Sequence, residues 1–272
     1  MRLVNARPSR GAAVALAALP FLAVGLAYAI ASAARLAANP ADKLLPSPSQ
    51  MAASLYGLAA VPDKRTGDLI LWSDTAASLG RLAAGVGTAT AVALVLGIAI
   101  GFVPRVRAAL APLVAVISVI PPLAVLPILL IALGLGEAAK ITLIAIGIAP
   151  VMTRDVAQRV AEIPAELVVK AQTLGANTWT MVVRLVLPQV MPRLLVAVRL
   201  ALGPAWLFLI TAEALASESG LGYRIFLVRR YLAMDVILPY VAWITLLAVA
   251  SDFLIARLSK RAFAWAHPRE AS

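Results

Sequence analysis

The chain has 272 residues, 62% of them hydrophobic, and a mean hydropathy of +0.93, so its composition excludes an ordinary soluble domain and makes the bilayer its expected solvent. The absence of cysteine and the presence of a single histidine exclude disulfides, thiolate metal sites and histidine clusters. In so apolar a chain, a formal net charge of +11 is more typical of basic cytoplasmic segments than of nucleic-acid binding, and we expect no nucleic-acid partner.

Six apolar segments are predicted to cross the membrane as helices. They cover residues 11–34, 79–103, 110–133, 138–151, 190–215 and 237–256. The first segment has an alternative interpretation, because Ala31-Ser32-Ala33 resembles the cleavage site of a secretory signal peptide. Its apolar run is roughly twice as long as the usual core of a signal peptide, which favours a retained helix.

The longest polar stretch, residues 39–73, follows the first predicted helix. It contains Leu45-Pro46-Ser47-Pro48, which is predicted to be extended because a proline disfavours the helical conformation in the residue before it. Two alternatives remain open for this stretch: a plain solvated linker, and an element whose similarity to a known family is described below.

The second and third predicted helices carry signals for how they pack. Gly97 and Gly101 have the G-x-x-x-G spacing, which predicts the close approach of another helix. The third predicted helix contains Pro121, Pro122 and Pro127. Because prolines free backbone carbonyls within the membrane, neighbouring groups or water must satisfy those carbonyls.

A polar, partly basic insert, residues 169–188, separates the fourth and fifth predicted helices. A short helix is predicted over residues 162–173, where Pro164 suits a first turn. Gly175 is predicted to end this helix, either in a left-handed conformation or by allowing a close backbone approach. A second helix is predicted over residues 179–187, and Pro188 is predicted to interrupt it.

The spacing within this insert resembles the EAA motif, a cytoplasmic loop of the permease subunits of binding-protein-dependent ABC importers. The family pattern is E-A-A, three residues, G, nine residues and I-x-L-P. The matching positions here are Val169, Lys170, Ala171, Gly175, Leu185, Leu187 and Pro188. Val169 and Lys170 depart from the Glu and the first Ala of the motif, while the spacing is kept.

Three other short elements are similar to sequences of the same family. They are the Leu45-Pro46-Ser47-Pro48 element, Ile120-Pro121-Pro122-Leu123 and Gly220-Leu221-Gly222-Tyr223. Within the family, the resemblance is closest to permeases for nitrate, sulfonates, taurine and related small nitrogen or sulfur solutes. The solute itself is not predicted, because specificity in such importers is set largely by the binding protein.

The resemblance implies an all-α integral membrane protein with six transmembrane helices and the type I ABC importer permease fold. The chain would form one permease domain over residues 1–272, which begins with a helix and a periplasmic segment over residues 1–78. A five-helix core would follow over residues 79–257, with a cytoplasmic coupling loop at 154–189 and a cytoplasmic tail at 258–272. The expected location is the cell inner membrane, crossed several times.

The resemblance also implies partners. We expect ABC ATPase subunits, a periplasmic or lipid-anchored substrate-binding protein, a second permease copy in a homodimer, and the lipid bilayer. No cofactor is expected on this chain, because the ATPase subunits bind the ATP. The residues expected to seat in a groove of the ATPase as a coupling helix are Ala171, Gln172, Thr173, Leu174, Gly175, Ala176, Leu187 and Pro188.

The distribution of lysine and arginine predicts the topology without any resemblance. With the N-terminus inside, the segments assigned to the cytoplasm hold 14 of these residues, and the two long outside segments, residues 36–74 and 216–236, hold 6. This bias follows the positive-inside rule. It places both termini and the polar insert in the cytoplasm.

Polar residues on the fifth predicted helix indicate a candidate translocation path. Arg199, Gly203, Trp206, Ile210 and Glu213 recur on one helical face. Ionisable groups in membrane helices usually face the bundle interior or a water-filled path. The alternative, which the sequence leaves open, is that Arg199 and Glu213 lie near opposite membrane edges and extend towards water.

No catalytic constellation is present in the sequence. It lacks a G-x-x-x-x-G-K-[ST] phosphate loop, an H-E-x-x-H zinc motif and a G-x-S-x-G setting, so we expect a transporter subunit and not an enzyme. The alternative function is a secondary transporter or channel that works alone. That alternative predicts ion-coupling carboxylates at the midplane, whereas Glu137, Glu213 and Asp252 are predicted to lie towards the ends of spans.

Overall fold

The computed structural model describes residues 8–64 and 66–266, and within these residues every regular element is helical. The helices are α1 (Arg10–Ala38), α2 (Pro48–Ala60), α3 (Ile70–Phe102), α4 (Pro104–Ile117), α5 (Pro122–Leu133), α6 (Glu137–Ala161), α7 (Ala165–Thr173), α8 (Thr178–Met181), α9 (Leu187–Ala216), α10 (Leu221–Arg229) and α11 (Met234–Ala262). A π-helical turn, Val182–Val186, joins α8 to α9, and a 3₁₀ turn, Ala264–Ala266, follows α11.

The chain divides into two compact units, and the first comprises Met1–Leu69 and Val228–Val241. In this unit Tyr28 of α1 donates a hydrogen bond to the carbonyl of Pro46 at 2.7 Å, and Ser32 donates one to the carbonyl of Leu45 at 2.9 Å. Hydrogen bonds from Arg35 and from the backbone N–H of Leu44 lower the pKa of Asp42.

The polar stretch after α1 is a structured element and not a plain linker. Ser47 is extended, as predicted, and caps α2 through a capping box with Gln50, while Pro48 is the first residue of the helix. A serine cap, a proline at the first helical position and a glutamine three residues after the cap are each helix-start signals. We did not predict α2, although these signals were present in the sequence.

The second unit comprises Ile70–Leu227 and Ala242–Ser272, and its core is the packing of α3, α6 and α9. The predicted close approach at Gly97 and Gly101 is confirmed. A Cβ atom at Gly97 would lie 2.5 Å from a methyl carbon of Val156, and one at Gly101 would lie 2.5 Å from Cβ of Val160. The separation in sequence between Gly97 and Val156 equals that between Gly101 and Val160. The helices α3 and α6 therefore run parallel in this contact.

The third predicted membrane helix is broken into two. α4 and α5 meet at an angle of 94°, so they form either a broken span or a re-entrant loop beside five helices that are long and apolar enough to cross a membrane. The break lies at Pro121, whose ψ of 116° is extended. Pro122 disfavours the helical conformation in the residue before it, which explains why the helix cannot continue through this position.

Among the helices, α3 and α6 extend furthest beyond the apolar segments that predicted them. α3 begins at Ile70 and not near residue 79, and α6 ends at Ala161 and not near residue 151. Charged and polar residues lower the hydropathy of these extensions. These side chains nevertheless fit the helices, because Asp74 and Ser78 are buried in polar contacts and Val156 and Val160 pack on α3.

The prediction that Pro188 interrupts a helix is wrong. The chain passes from α8 through the π-helical turn directly into α9, where Pro188 is the second residue. The N–H of Leu187 donates to the carbonyl of Val182, five residues earlier. This widened turn relieves the clash that a proline ring makes with the carbonyl four residues before it in an α-helix.

Candidate functional site

The predicted coupling segment forms a short, exposed helix that ends in a defined turn. None of the side chains of α7 is buried. Gly175 has φ +79°, its N–H donates to the carbonyl of Gln172 at 2.9 Å, and the N–H of Ala176 donates to the carbonyl of Ala171 at 3.0 Å. This pair of hydrogen bonds is a Schellman motif, which favours glycine at the left-handed position. A Cβ atom at Gly175 would meet nothing within 4 Å, so its backbone conformation, and not a close approach, explains the glycine.

The turn presents two large apolar side chains to its surroundings. Leu174 is 79% exposed and Trp179 is 74% exposed. The side-chain oxygen of Asn177 accepts a hydrogen bond from the N–H of Thr180 at 2.8 Å and so caps α8 directly after the turn. A hydrogen-bonded turn with exposed apolar side chains has the chemistry of a contact surface for another protein.

The other residues of the predicted coupling segment lie in α7, in this turn and at the start of α9. Gln172, Thr173 and Pro188 are exposed, and Ala171, Ala176 and Leu187 are half-buried. The EAA motif has a glutamate at the position of Val169. Val169 is exposed, so the absence of that carboxylate leaves no buried polar group without its partner.

Two predicted path residues, Arg199 and Glu213, lie in different environments. Arg199 of α9 makes a two-pronged ion pair with Asp252 of α11, with N–O distances of 2.8 and 2.9 Å. Their side chains are 36% and 44% exposed. Asp252 lies ten residues before the end of α11.

The remaining predicted path residues differ in how open their surroundings are. A Cβ atom at Gly203 would meet nothing within 4 Å, so this part of α9 is open. Trp206 is only 5% exposed, and its indole N–H has no hydrogen-bond acceptor among the described residues. Glu213 is 0% exposed and is held by several donors.

A buried polar network encloses Glu213, and Arg81 lies at its centre. The Nη1 atom of Arg81 donates to Glu213 at 2.7 Å and to the carbonyl of Ser219 at 2.8 Å. The other edge of the guanidinium donates to both oxygens of Glu137, at 2.5 and 2.8 Å. Lys140 also donates to Glu137, at 2.9 Å. This network, the Arg81 network, therefore connects α3, α6, α9 and the loop before α10.

The same network holds the first turn of α10. The N–H of Gly222 donates to Glu213 and the N–H of Leu221 donates to Ser78, both at 2.9 Å. The N–H of Gly220 donates to Asp74 at 3.0 Å. These acceptors satisfy N–H groups that a helix start leaves without partners inside the helix.

Gly220 shows how tightly the loop fits against the network. Its φ is +118°, and a Cβ atom there would lie 2.4 Å from an oxygen of Glu213 and 2.7 Å from Nη1 of Arg81. Any larger residue would meet both the backbone constraint and the two charged groups. The Gly220-Leu221-Gly222-Tyr223 element is thus the part of the chain that closes over Arg81 and Glu213.

The Arg81 network was not predicted from the sequence. The available signal was the presence of Arg81 and Lys140 in or beside strongly apolar segments, since ionisable residues in membrane helices usually have a partner in the protein. Arg81 and Lys140 lie inside the second and fourth predicted helices, residues 79–103 and 138–151, and no role was predicted for either. Ser219 and Gly220 belong to the predicted outside loop, residues 216–236, and the structure has α10 within that loop.

Two comparisons of the sequence with known proteins give a consistent family. Residues 93–264 match the family described as binding-protein-dependent transport system inner membrane component. The chain is 32% identical over 221 residues to the taurine transport system permease protein TauC of Escherichia coli K12, which covers 81% of this chain and 80% of that protein. It is 28% identical over 193 residues to the putative aliphatic sulfonates transport permease protein SsuC of Bacillus subtilis 168. This match covers 71% of this chain and 70% of that protein.

The fold is also found in a solved transporter. A chain from inward-facing structures of the MetNI methionine ABC transporter superposes with a TM-score of 0.59 at 20% identity, covering 71% of this chain and 94% of that chain. This likeness supports the type I importer permease fold.

Proposed function

The chain belongs to the family of binding-protein-dependent transport system inner membrane components, and we propose that it is the permease subunit of an ATP-driven importer of the inner membrane, with both termini in the cytoplasm. ATPase activity in such systems belongs to a separate subunit. We propose that the partners are two ATPase subunits, a substrate-binding protein and a second copy of this chain. Movement of the ATPases would switch the path between inward-facing and outward-facing states.

The exposed turn at residues 174–177 carries this proposal. Leu174 projects from a turn fixed by hydrogen bonds, and none of the side chains of α7 is buried in the chain itself. Covering an exposed leucine with an apolar surface of a partner stabilises the complex. We propose that Ala171, Gln172, Thr173, Gly175 and Ala176 form the contact around Leu174, with Leu187 and Pro188 fixing its base.

The proposed solute is a small organic molecule with an oxyanion group, such as taurine or an aliphatic sulfonate. The named solutes of two relatives support this class, since both carry a sulfonate. The binding protein would select among such solutes before they reach the permease.

The alternative function, transport by this chain alone, is tested by separating the energy sources. We prepare vesicles that contain the permease, its ATPase and the loaded binding protein. We expect them to accumulate solute only when ATP is present on the side of the membrane where the ATPase subunits lie. Vesicles with the permease alone should accumulate nothing when a proton or sodium gradient is imposed. Gradient-driven uptake by the permease alone would identify a secondary transporter.

The proposed topology predicts the location of two reporters. A reporter enzyme fused after Gln172 should be active only as a cytoplasmic reporter, and one fused after Lys64 only as a periplasmic reporter, because the basic segments stay inside. Each fusion point is measured with both reporter types, so that each serves as a control for expression of the other. The reverse pattern would overturn the proposed orientation.

We further propose that Arg199, Gly203, Trp206 and Glu213 mark the side of α9 next to the path. The Arg199–Asp252 pair supports this, because both side chains are partly exposed on the surface of the chain while lying well within long apolar helices. An exposed ion pair is costly against lipid tails and is tolerated against water or another protein. In this arrangement Arg199 and Asp252 face the path, while Glu213 supports it from within the Arg81 network.

The double substitution Arg199→Gln/Asp252→Asn should lower solute uptake by about tenfold or more, which corresponds to the loss of one charge-assisted contact. The complex should still assemble, because removing both charges leaves neither one unpaired. Uptake and ATP hydrolysis are measured together in vesicles. Arg35→Gln/Asp42→Asn, which removes an ion pair in the other unit, is the matched control and should retain uptake. Full uptake by the Arg199/Asp252 variant would contradict the path assignment.

A further inference from the structure

A cleft in the first compact unit lies between the chain that follows α1, helix α2 and the turn before α11. It has a volume of about 520 Å³, which is within the usual range of binding pockets. Both stretches that line it belong to segments that we propose to lie outside the cytoplasm, so we call it the outer cleft. Its lining includes Asp42, Lys43 and Ser54 from the first stretch, and Tyr231 and Asp235 from the second.

The turn that supplies Tyr231 has a strained backbone. Among the described residues other than glycine, only Leu232 has a positive φ, of +53°. The N–H of Leu232 donates to the carbonyl of Arg229 at 3.0 Å, and its own carbonyl accepts from the N–H of Met234 at 2.8 Å. This conformation disfavours a leucine and suits a glycine. The side chain of Leu232 is 55% exposed, so packing within the chain does not explain why a leucine is present. Strained residues of this kind occur often at functional sites.

An aromatic and a basic side chain stand beside the strained residue. Tyr231 is 62% exposed, and the guanidinium of Arg230 lies 5.3 Å from the centre of its ring. This cation–π contact favours one position of the exposed ring. Tyrosine and arginine are enriched in the parts of protein interfaces that contribute most to affinity. The turn therefore presents side chains that are typical of a protein contact.

The charges at the outer cleft are unequally engaged. Asp42 forms an ion pair with Arg35, and Asp235 accepts a hydrogen bond from Ser54 at 2.5 Å. Lys43 and Arg230 are exposed, and neither forms an ion pair with a carboxylate within residues 8–64 and 66–266. The charges that remain available are thus positive. A partner that matches this surface carries acidic side chains.

The extent of this surface favours a protein over a small solute. Leu44, next to Lys43, is also 43% exposed. A small solute could fill the outer cleft but would leave the side chains of Tyr231 and Leu232 in water. In the proposed topology the ATPase lies on the opposite side of the membrane. The family is named for its dependence on a binding protein, which is the proposed partner on the outer side.

We propose that the outer cleft and the turn at Tyr231 and Leu232 form the docking surface for the substrate-binding protein, a proposal that rests on the proposed function. Acidic side chains of that protein would face Lys43 and Arg230, and its surface would cover Tyr231 and Leu232. Helix α11 begins at Met234, two residues after Leu232. Docking would therefore act on the first turn of the helix whose Asp252 pairs with Arg199.

The test uses the permease–ATPase complex in lipid nanodiscs and the importer's own substrate-binding protein in its solute-bound form. The dissociation constant and the stimulation of ATP hydrolysis are measured together. Tyr231→Ala should raise the dissociation constant by about tenfold or more, as expected for a central interface tyrosine. Tyr56→Ala is the matched control, because Tyr56 is 68% exposed on α2 and does not line the outer cleft. It should bind like the parent.

Charge reversal tests the proposed acidic partner. Lys43→Glu should raise the dissociation constant and make binding less sensitive to salt, because attraction between exposed opposite charges is screened by ions. Lys64→Glu makes the same change at an exposed lysine of the same outside segment that does not line the outer cleft. This control should keep the affinity and the salt dependence of the parent.

Leu232→Gly separates docking from folding. Glycine adopts a φ of +53° without strain, so the melting temperature of the complex should not fall. The affinity for the binding protein should nevertheless decrease, because the exposed leucine is lost. A fall in melting temperature with unchanged affinity would show that Leu232 serves the fold and would overturn its assignment to the docking surface.

The parent complex distinguishes failure of this inference from failure of the proposed function. If ATP hydrolysis by the parent does not respond to the solute-bound binding protein, the proposed function is wrong and the docking surface with it. If the parent responds while Tyr231→Ala and Lys43→Glu bind as tightly as the parent, the docking surface alone is wrong. Equal losses in these variants and in their matched controls would also overturn it.

Discussion

Arg81→Leu is expected to remove the folded permease from the membrane fraction. Arg81 is almost fully buried and is the only cation within ion-pair distance of Glu213 among the described residues. Without it, the carboxylate of Glu213 stays buried and loses its counter-charge. Removing one member of a buried pair typically costs about 3–5 kcal/mol, against a total stability of about 5–15 kcal/mol for a typical domain. The measurement is the amount of monodisperse permease recovered after mild detergent extraction and its melting temperature.

The interaction between the two charges can be separated from the loss of Arg81 itself. Arg81→Leu/Glu213→Gln removes the unpaired charge and should recover part of the stability, because residues in contact are not additive. Arg105→Leu removes an exposed arginine and should behave like the parent. If Arg81→Leu were as stable as Arg105→Leu, the Arg81 network would not hold the helices together.

Gly220→Ala tests the same network without removing a charge. The new Cβ atom would lie 2.4 Å from an oxygen of Glu213, and the backbone φ of +118° disfavours any side chain. We expect a destabilised permease with the loop before α10 displaced. Gly203→Ala, where a Cβ atom meets nothing within 4 Å, is the matched control in the neighbouring helix α9.

Leu174→Asp is expected to give a permease that folds normally but no longer holds its ATPase. Leu174 is 79% exposed, so the substitution removes no packing from the chain itself. If an ATPase groove covers this side chain, the loss resembles a large-to-small core substitution, about 2 kcal/mol or somewhat less for a shallow pocket. Burying an aspartate there adds the cost of removing a charge from water. The ATPase should therefore fail to co-purify, and ATP hydrolysis should no longer respond to loaded binding protein.

Substitutions at Gly175 check whether the shape of the turn matters in addition to its leucine. Gly175→Val should weaken ATPase retention, because a β-branched residue resists the left-handed conformation with φ +79°. Gly175→Asn should keep most of the function, since asparagine tolerates this conformation. Leu135→Asp, at an exposed leucine in another turn, is the control for adding a charge. Normal coupling in Leu174→Asp and Gly175→Val would show that this turn is not the contact with the ATPase.

The sequence by itself determined the class of the protein and the location of most helices. Runs of apolar residues predict membrane helices because every backbone N–H and C=O in a bilayer must be satisfied within the segment. The left-handed turn at Gly175 and the close approach at Gly97 and Gly101 were also predictable. Both depend on local features, namely the absence of a side chain at one position and a spacing of four residues on one helical face.

Only the tertiary structure decided which charged residues meet and where the third span breaks. Arg81 and Glu213 are 132 residues apart, and Arg199 and Asp252 are 53 apart, so no local pattern pairs them. The path prediction grouped Arg199 with Glu213 because helical periodicity reports only one face of one helix. Their actual partners come from α3 and α11, whose positions depend on the packing of the whole bundle. The bend of 94° between α4 and α5 likewise depends on where the chain goes after Pro121, since a proline pair stops a helix but does not set the direction of the next one.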